Sequence, residues 1–422
     1  MTRVTDVFED LAWRGLIAHS TDAEALRAHL AAGPVTFYVG FDPTAPSIHM
    51  GNLVQIMVAR ALQRAGHRPI LLVGGSTGLI GDPKQAGERS MNPADLVAEW
   101  VARIREQVSK LISFEGANPA TLVNNYDWTA SLSTLDFLRD IGKHFPVNRM
   151  LDREVVKARL DSGISYTEFS YVLLQSLDYR ELYRRYGCTL QTGGSDQWGN
   201  ITAGVELIRR SEAARVHALA TPLITKADGT KFGKTESGTV WLDPAMTSPY
   251  AFHQFFLNAE DAKVLDHLKV FSERPKEELE EIAARSAEEP HLRIAQRALA
   301  DDVTDLVHSP AERQAAAAAA QAIFGRGELH LLPAGTLSAV ADELGAKTLG
   351  NEGLPTVVDA LEASGVVTSK SAARRAIAEG GAYVNNVKVT DPSARLEAAD
   401  VLPGGLVVLR RGRRTVGAIK LG

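Results

Sequence analysis

The chain has 422 residues, 45% of them hydrophobic and 23% charged, with a formal net charge of −5. Those proportions exclude a disordered chain, and the length allows two or three domains with sizeable cores. A single cysteine, Cys188, excludes an intrachain disulfide or a cysteine-cluster metal site and suits a reducing cytoplasm. The opening MTRVTDVFEDLAWRGLIAHS places acids inside its apolar stretch, so it does not read as a signal peptide. No apolar run of about 18 residues predicts a membrane span. Residues 369–422 hold ten Lys/Arg and four Asp/Glu, a net +6 that leaves −11 on the remainder. A basic end on an acidic body points to a polyanion partner, although charge alone favours a solvated tail.

In chain order, TFYVG (36–40) and PILLVGG (69–75) read as buried strands, short apolar runs bounded by Gly and Pro. Between them, Leu53, Ile56, Met57, Arg60 and Ala61 recur three and four apart, which predicts a helix. Strand, helix, strand makes a βαβ unit and a parallel sheet with right-handed crossovers. TLVNN (121–125) and VHALATPLI (216–224) predict further strands, with helices around 93–112 and 197–210. After about Ser248 the pattern turns helical as far as Gly325, including QAAAAAAQAIF, a strong helix former. The Gly-rich stretch 325–353 reads as a connector. From Leu354 the sequence predicts two helices and a hairpin turned at Asn385-Asn386.

Four stretches carry chemistry. YVGFDPTAPSIHMGNL (38–53) runs from strand into helix, with His49 just before the helix N-terminus, where an anion is favoured. Alone it reads equally as a proline-stiffened turn. TKADGTKFGKTESG (225–238) alternates Lys226, Lys231 and Lys234 with glycines and suits a polyphosphate, or simply a flexible surface loop. It is no Walker loop. GDPKQAGERS (81–90) offers Lys84, Arg89 and Asp82, or an ordinary turn. In SYVLLQSLDY (170–179), Tyr171, Gln175 and Asp178 share one helix face, a pattern suited to a polar-ligand pocket.

Together these stretches, with GGSDQWGNITAG (193–204), resemble the bacterial-type tyrosyl-tRNA synthetases, class I aminoacyl-tRNA synthetases, over essentially the whole chain. HMGN (49–52) stands for the HIGH signature and KFGKT (231–235) for KMSKS; Asn52 replaces the second histidine, and Gly233 and Thr235 replace the two serines. The resemblance implies a Rossmann-like parallel-sheet catalytic domain (1–247) and an α-helical anticodon-side domain (248–325). A linker (326–353) and a small α+β RNA-binding domain (354–422), like that of a small-subunit ribosomal protein, would follow.

It also implies the chemistry. Tyrosine attacks ATP to give tyrosyl-adenylate and pyrophosphate, and the tyrosyl group passes to the terminal adenosine of tRNA(Tyr). Thr44, His49 and Asn52 would contact ATP, with Gly40, Gly51 and Phe232 around the adenylate. Lys84, Arg89, Lys231, Lys234 and Thr235 would hold the pyrophosphate. Mg²⁺ would arrive on the phosphates, with no dedicated protein metal site. Tyr38 and Asp178 would bind the phenolic OH, and Asp82, Tyr171 and Gln175 the ammonium group. Asp42, Gln191, Asp196 and Gln197 would complete the amino-acid and ribose side. This family is itself the standing example of a site that rejects phenylalanine by about 10⁵ without editing, because buried polar groups would be left unpaired. Lys370, Arg374, Arg375 and Lys388, with RRGRR (410–414), would meet tRNA. A cytoplasmic homodimer is implied, with KHFPVNRML (143–151) as the expected interface. Two other readings stand beside it: an adenylyltransferase of the same superfamily with another acceptor, and a non-catalytic RNA-binding paralogue.

Overall fold

The computed structural model describes residues 6–84, 87, 91–235, 238–325, 327–350, 353–412 and 415–421. They pack as two units, Met1–Asp243 with Glu260–Glu280, and Pro244–Ala259 with Glu281–Gly422.

The first unit is built on a six-stranded sheet in the order His19–Ser20, His217–Thr221, Cys188–Gly194, Thr36–Phe41, Arg68–Val73, Thr121–Asn124. The last five run parallel, and His19–Ser20 adds an antiparallel edge. Parallel strands need helical crossovers that cover both faces, which is why the apolar runs here are continuous rather than alternating. The Met50–Arg64 helix supplies one cover and buries Leu53, Ile56 and Met57, three of the residues whose spacing predicted it. Cys188–Gly194 was not foreseen. Its sequence CTLQTGG ends in two glycines and carries Gln191, so the run reads as a polar loop although most of it is buried.

The Val264–Phe271 helix, expected in the helical domain, belongs to the first unit. Arg14 fastens it by donating to the carbonyls of Lys269 (3.0 Å), Ser272 (2.7 Å) and Arg274 (2.9 Å). Glu273 follows it and pairs with Arg60 and Arg64 of the Met50–Arg64 helix.

At the amino ends of the strands, away from the loops that bear the motifs, three histidines come together. The His29 and His217 rings lie 4.9 Å apart, His29 Nε2 is 2.8 Å from Thr189 Oγ1, and His67 Nδ1 accepts from Val35 N–H. Burial holds the proton affinity of all three below the ordinary histidine value, and His29 depresses His67 and His217 further. The unfolded chain therefore binds more protons than the fold does, so this contribution to stability is present above about pH 6.5 and fades as pH falls below it. Melting temperatures measured between pH 8 and pH 5.5 should fall toward acid, and His29→Gln should flatten that slope; an unchanged slope would remove the cluster from the explanation.

In the second unit, helices Pro249–Leu257, Ile294–Val307 and Pro310–Ile323 are those the sequence predicted. The stretch expected as a linker is built structure. Ala334–Glu343 is a helix, and Lys347–Leu349 pairs in parallel with Thr415–Leu421 at the edge of a five-stranded sheet. Leu337 and Val340 share a core with Ala316 and Ala319 on one side and Leu406 and Val408 on the other. Helical and C-terminal segments are therefore joined by common packing. The Asn385-Asn386 hairpin forms as predicted, both residues taking positive φ (44° and 70°).

Candidate active site

Thr36–Phe41 and Cys188–Gly194 are neighbouring parallel strands, yet the chain leaves them toward opposite edges of the sheet. Such a reversal opens a crevice beyond the carboxyl ends of the strands. A cavity of about 560 Å³ lies there. The sequence-predicted residues that line it are Tyr38, Gly40, Asp42, Thr44, His49, Gly51, Asn52, Asp82, Tyr171, Gln175, Asp178, Gln191, Asp196, Gln197, Lys231, Phe232 and Lys234. Segments nearly two hundred residues apart thus share one wall.

One end of the cavity is built to recognise a polar group. Tyr38 pairs in register with Gln191, and the Tyr166–Tyr186 helix brings Tyr171, Gln175 and Asp178 over them. Asp178 accepts from Trp128 Nε1–H (2.9 Å) and Asn125 Nδ2–H (3.0 Å). Burial pushes its carboxyl up to about 8, against the pull of those two donors. In its ionised form the carboxyl has about four acceptor positions, so two remain beyond those donors. Burial, and next the Asp178 charge, raise the Tyr38 phenol well above its usual range. Tyr38 OH, Gln175 Oε1 and Gln191 Oε1 are buried without a hydrogen-bond partner. Buried polar atoms are nearly always satisfied, so three in one cavity point to a ligand that completes them.

Beside this end, Asp42 accepts from Thr77 Oγ1–H (2.6 Å) and from the Tyr171 hydroxyl. Asp82 accepts from Gln197 Nε2–H (2.7 Å) and Asn200 Nδ2–H (3.0 Å), and Arg153 donates to Asn200. Both carboxylates are therefore held in place by neighbours.

The other end favours an anion. His49 Nδ1 accepts from Gly51 N–H (3.1 Å), and Asn52 Oδ1 accepts from His49 N–H (3.0 Å), a reciprocal cap on the Met50–Arg64 helix. Burial, then Lys231 and Lys234, lower the imidazole's proton affinity, while Asp196 opposes them. The ring is therefore neutral near pH 7, with its proton on Nε2 as a donor. A Cβ on Gly51 would come within 3.0 Å of His49 Cε1, so glycine there lets the imidazole fold back on the cap. Asn52 spends its oxygen on the cap and keeps its amide N–H₂ as a donor, which explains how asparagine can stand where the signature has histidine.

Not every expected residue reaches the cavity. Lys84 is exposed and absent from the lining, and its carbonyl accepts from Arg159 instead. Arg89 lies outside the described residues. Thr235 pairs through its backbone with Gly238. Sequence reasoning also missed Asn125, Trp128, Thr77 and Asn200, which orient the carboxylates. Their only signal was polar residues next to strand ends.

The basic face of the second unit is only partly free. Lys370 pairs with Asp359 at 2.7 Å. Arg374 and Arg375 are exposed on the same helix, and Lys388 Nζ reaches over Gly380 just past its end. Arg410 is buried, stacked 4.0 Å from the Tyr383 ring centre and bonded to the Gly412 carbonyl, so it is a structural residue. Arg413 and Arg414 lie outside the described residues.

With the geometry in hand, known proteins supply the context. The family profile "tRNA synthetases class I (W and Y)" matches residues 30–325, and "Tyrosine--tRNA ligase SYY-like C-terminal domain" matches 339–417. The tyrosine–tRNA ligase of Cutibacterium acnes is 64% identical over 99% of this chain and 100% of its own length. That of Kineococcus radiotolerans is 57% identical over 99% of each. A C-terminally truncated mitochondrial tyrosyl-tRNA synthetase from Aspergillus nidulans superposes with a TM-score of 0.68 at 30% identity, over 74% of this chain and 92% of that one. An Archaeoglobus fulgidus tyrosyl-tRNA synthetase shares the fold at a TM-score of 0.55 and 20% identity, over 73% of this chain and 99% of its own. The chain belongs to the bacterial-type tyrosyl-tRNA synthetase family of class I aminoacyl-tRNA synthetases.

Proposed function

We propose a division of labour for this chain's reaction, the ATP-dependent joining of tyrosine to tRNA(Tyr). The tyrosine phenol sits between Tyr38 and Asp178, donating to the carboxylate and accepting from Tyr38 O–H. Gln175, Tyr171 and Asp82 hold its ammonium group, with Gln191, Gln197, Asp42 and Asp196 along the amino acid and the ribose. A carboxylate oxygen of tyrosine attacks the α-phosphorus, and the bond from that phosphorus to the pyrophosphate oxygen breaks. Charge flows onto the leaving pyrophosphate, which Lys231 and Lys234 neutralise while His49 Nε2–H, Asn52 and Thr44 donate around the α-phosphate and ribose. No enzyme nucleophile takes part, so catalysis is positioning and charge stabilisation. Magnesium would enter with ATP, held by phosphate oxygens: the groups that crowd this end are cationic, which suits a phosphate-borne ion. A cytoplasmic location belongs to the same proposal.

The reading is carried by one observation: a single cavity holds unpartnered phenol and amide atoms at one end and a lysine-flanked neutral histidine at the other. The adenylyltransferase and non-catalytic alternatives lose their ground to full-length ligase relatives at 57–64% identity. Pyrophosphate–ATP exchange run with each amino acid in turn should respond to tyrosine alone; response to another amino acid, or to none, would refute the site assignment.

For tRNA, Arg374, Arg375 and Lys388 form the expected backbone contact. Their combined replacement by alanine should leave exchange unchanged and raise KM for tRNA, most at low salt, with a shallower dependence of KM on salt than in the parent chain. Cutting the chain at 353 is a poorer test, because it strips Leu406 and Val408 from the shared core. A homodimer is the proposed assembly. Val147 and Leu151 of the expected segment are exposed, as are Leu135 and Leu138 a few residues earlier in the chain, apolar side chains that a second copy could cover.

A further inference from the structure

The lysine loop is held from two sides. On one, Gly233 takes φ of 94°, and a Cβ there would lie 2.6 Å from Met50 Cβ and Cγ, so the backbone rests directly on the residue that follows His49. On the other, Phe232 is buried with its ring centre 3.9 Å from that of His267 and 6.1 Å from that of Phe271. His267 Nε2 also lies 3.2 Å from the Thr225 carbonyl, where the loop begins. Thr225 and Lys231 are bridged, and Phe232 N–H donates to the Ile224 carbonyl at 2.9 Å, so entry and exit of the loop run side by side.

One imidazole therefore touches both strands of the loop's neck. Its contact with a carbonyl requires the proton on Nε2, and burial keeps the ring neutral. Histidine joins a flat ring for Phe232 to a donor for Thr225 in one side chain; phenylalanine has only the first and glutamine only the second. Nδ1 is buried without a partner, so the position tolerates an unsatisfied atom to keep this combination.

We propose that His267 is a positioning residue that seats the lysine loop over the cavity by clamping Phe232 and Thr225 together. It touches neither substrate nor phosphate, and acts through where Lys231 and Lys234 are carried. The inference rests on the assignment of those lysines to the leaving pyrophosphate. A displacement on the order of 1 Å can cost as much as 10²-fold in rate.

The test is a double-mutant cycle read by the single-turnover rate of tyrosyl-adenylate formation, with tyrosine affinity and melting temperature measured in parallel. His267→Ala should slow formation at least about tenfold with tyrosine affinity unchanged. His267→Phe and His267→Gln should each restore part of the rate. Lys231→Ala should cost much less in the His267→Ala background than in the parent chain. Full additivity of the two substitutions, or an unslowed His267→Ala enzyme, would overturn the proposal. A harmless Lys231→Ala would instead sink the loop assignment beneath it. Should His267→Ala fail to fold, Phe232→Leu removes the stack from the other side, and the same coupling to Lys231 is expected.

Discussion

Asp178→Ala is expected to lower kcat/KM for tyrosine in the exchange reaction by about 10³-fold or more, because a buried carboxyl is truncated and its hydrogen-bond partners are left unpaired. The carboxylate is anchored by Trp128 and Asn125 and faces the cavity with two acceptor positions to spare. Without it, both anchors and the bound phenol lose their acceptor together. Asp178→Asn separates packing from recognition. It keeps the shape and one oxygen, so it should fold like the parent yet still lose most activity and part of the discrimination against phenylalanine. Normal tyrosine activation with phenylalanine still excluded would show that the phenol is read elsewhere.

Lys231→Ala and Lys234→Ala should each reduce the rate of adenylate formation by about 10²–10³-fold, the range for losing one group aimed at developing charge. Tyrosine affinity should not change, since neither lysine lies at the phenol end. Their proximity to His49, whose proton affinity both depress, ties them to the phosphate end of the cavity. Removing Lys231 should therefore also raise the imidazole's proton affinity, visible as a shift of its titration by NMR. Equal loss of tyrosine binding in these variants would argue for a loop that closes the whole cavity.

Much of this site was legible because its signals are local. The His49 loop carries its own glycine, prolines and helix cap, and Tyr171, Gln175 and Asp178 show their common face by spacing alone. Other parts were not. Asn125 and Trp128 meet Asp178 across about fifty residues of chain, and that pairing exists only once Thr121–Asn124 has docked beside Arg68–Val73. Cys188–Gly194 was hidden because a strand that carries ligand-facing Gln191 and ends in glycines lacks the apolar run that marks its neighbours. The 326–353 stretch misled for a related reason: its glycines mark turns, while Leu337 and Val340 are buried by partners contributed from residues 316 and 406. Lys84 and Arg410 show the limit of reading charge without burial. One is exposed and does not line the cavity, and the other is packed against an aromatic ring.

The most direct test is a crystal structure of the chain with a non-hydrolysable tyrosyl-adenylate analogue. The account requires the phenolic oxygen within hydrogen-bond distance of both Tyr38 OH and an Asp178 oxygen, and the phosphate-mimicking group beside His49 Nε2. An analogue whose ring lay away from that pair, or whose phosphate mimic lay away from the imidazole, would contradict it.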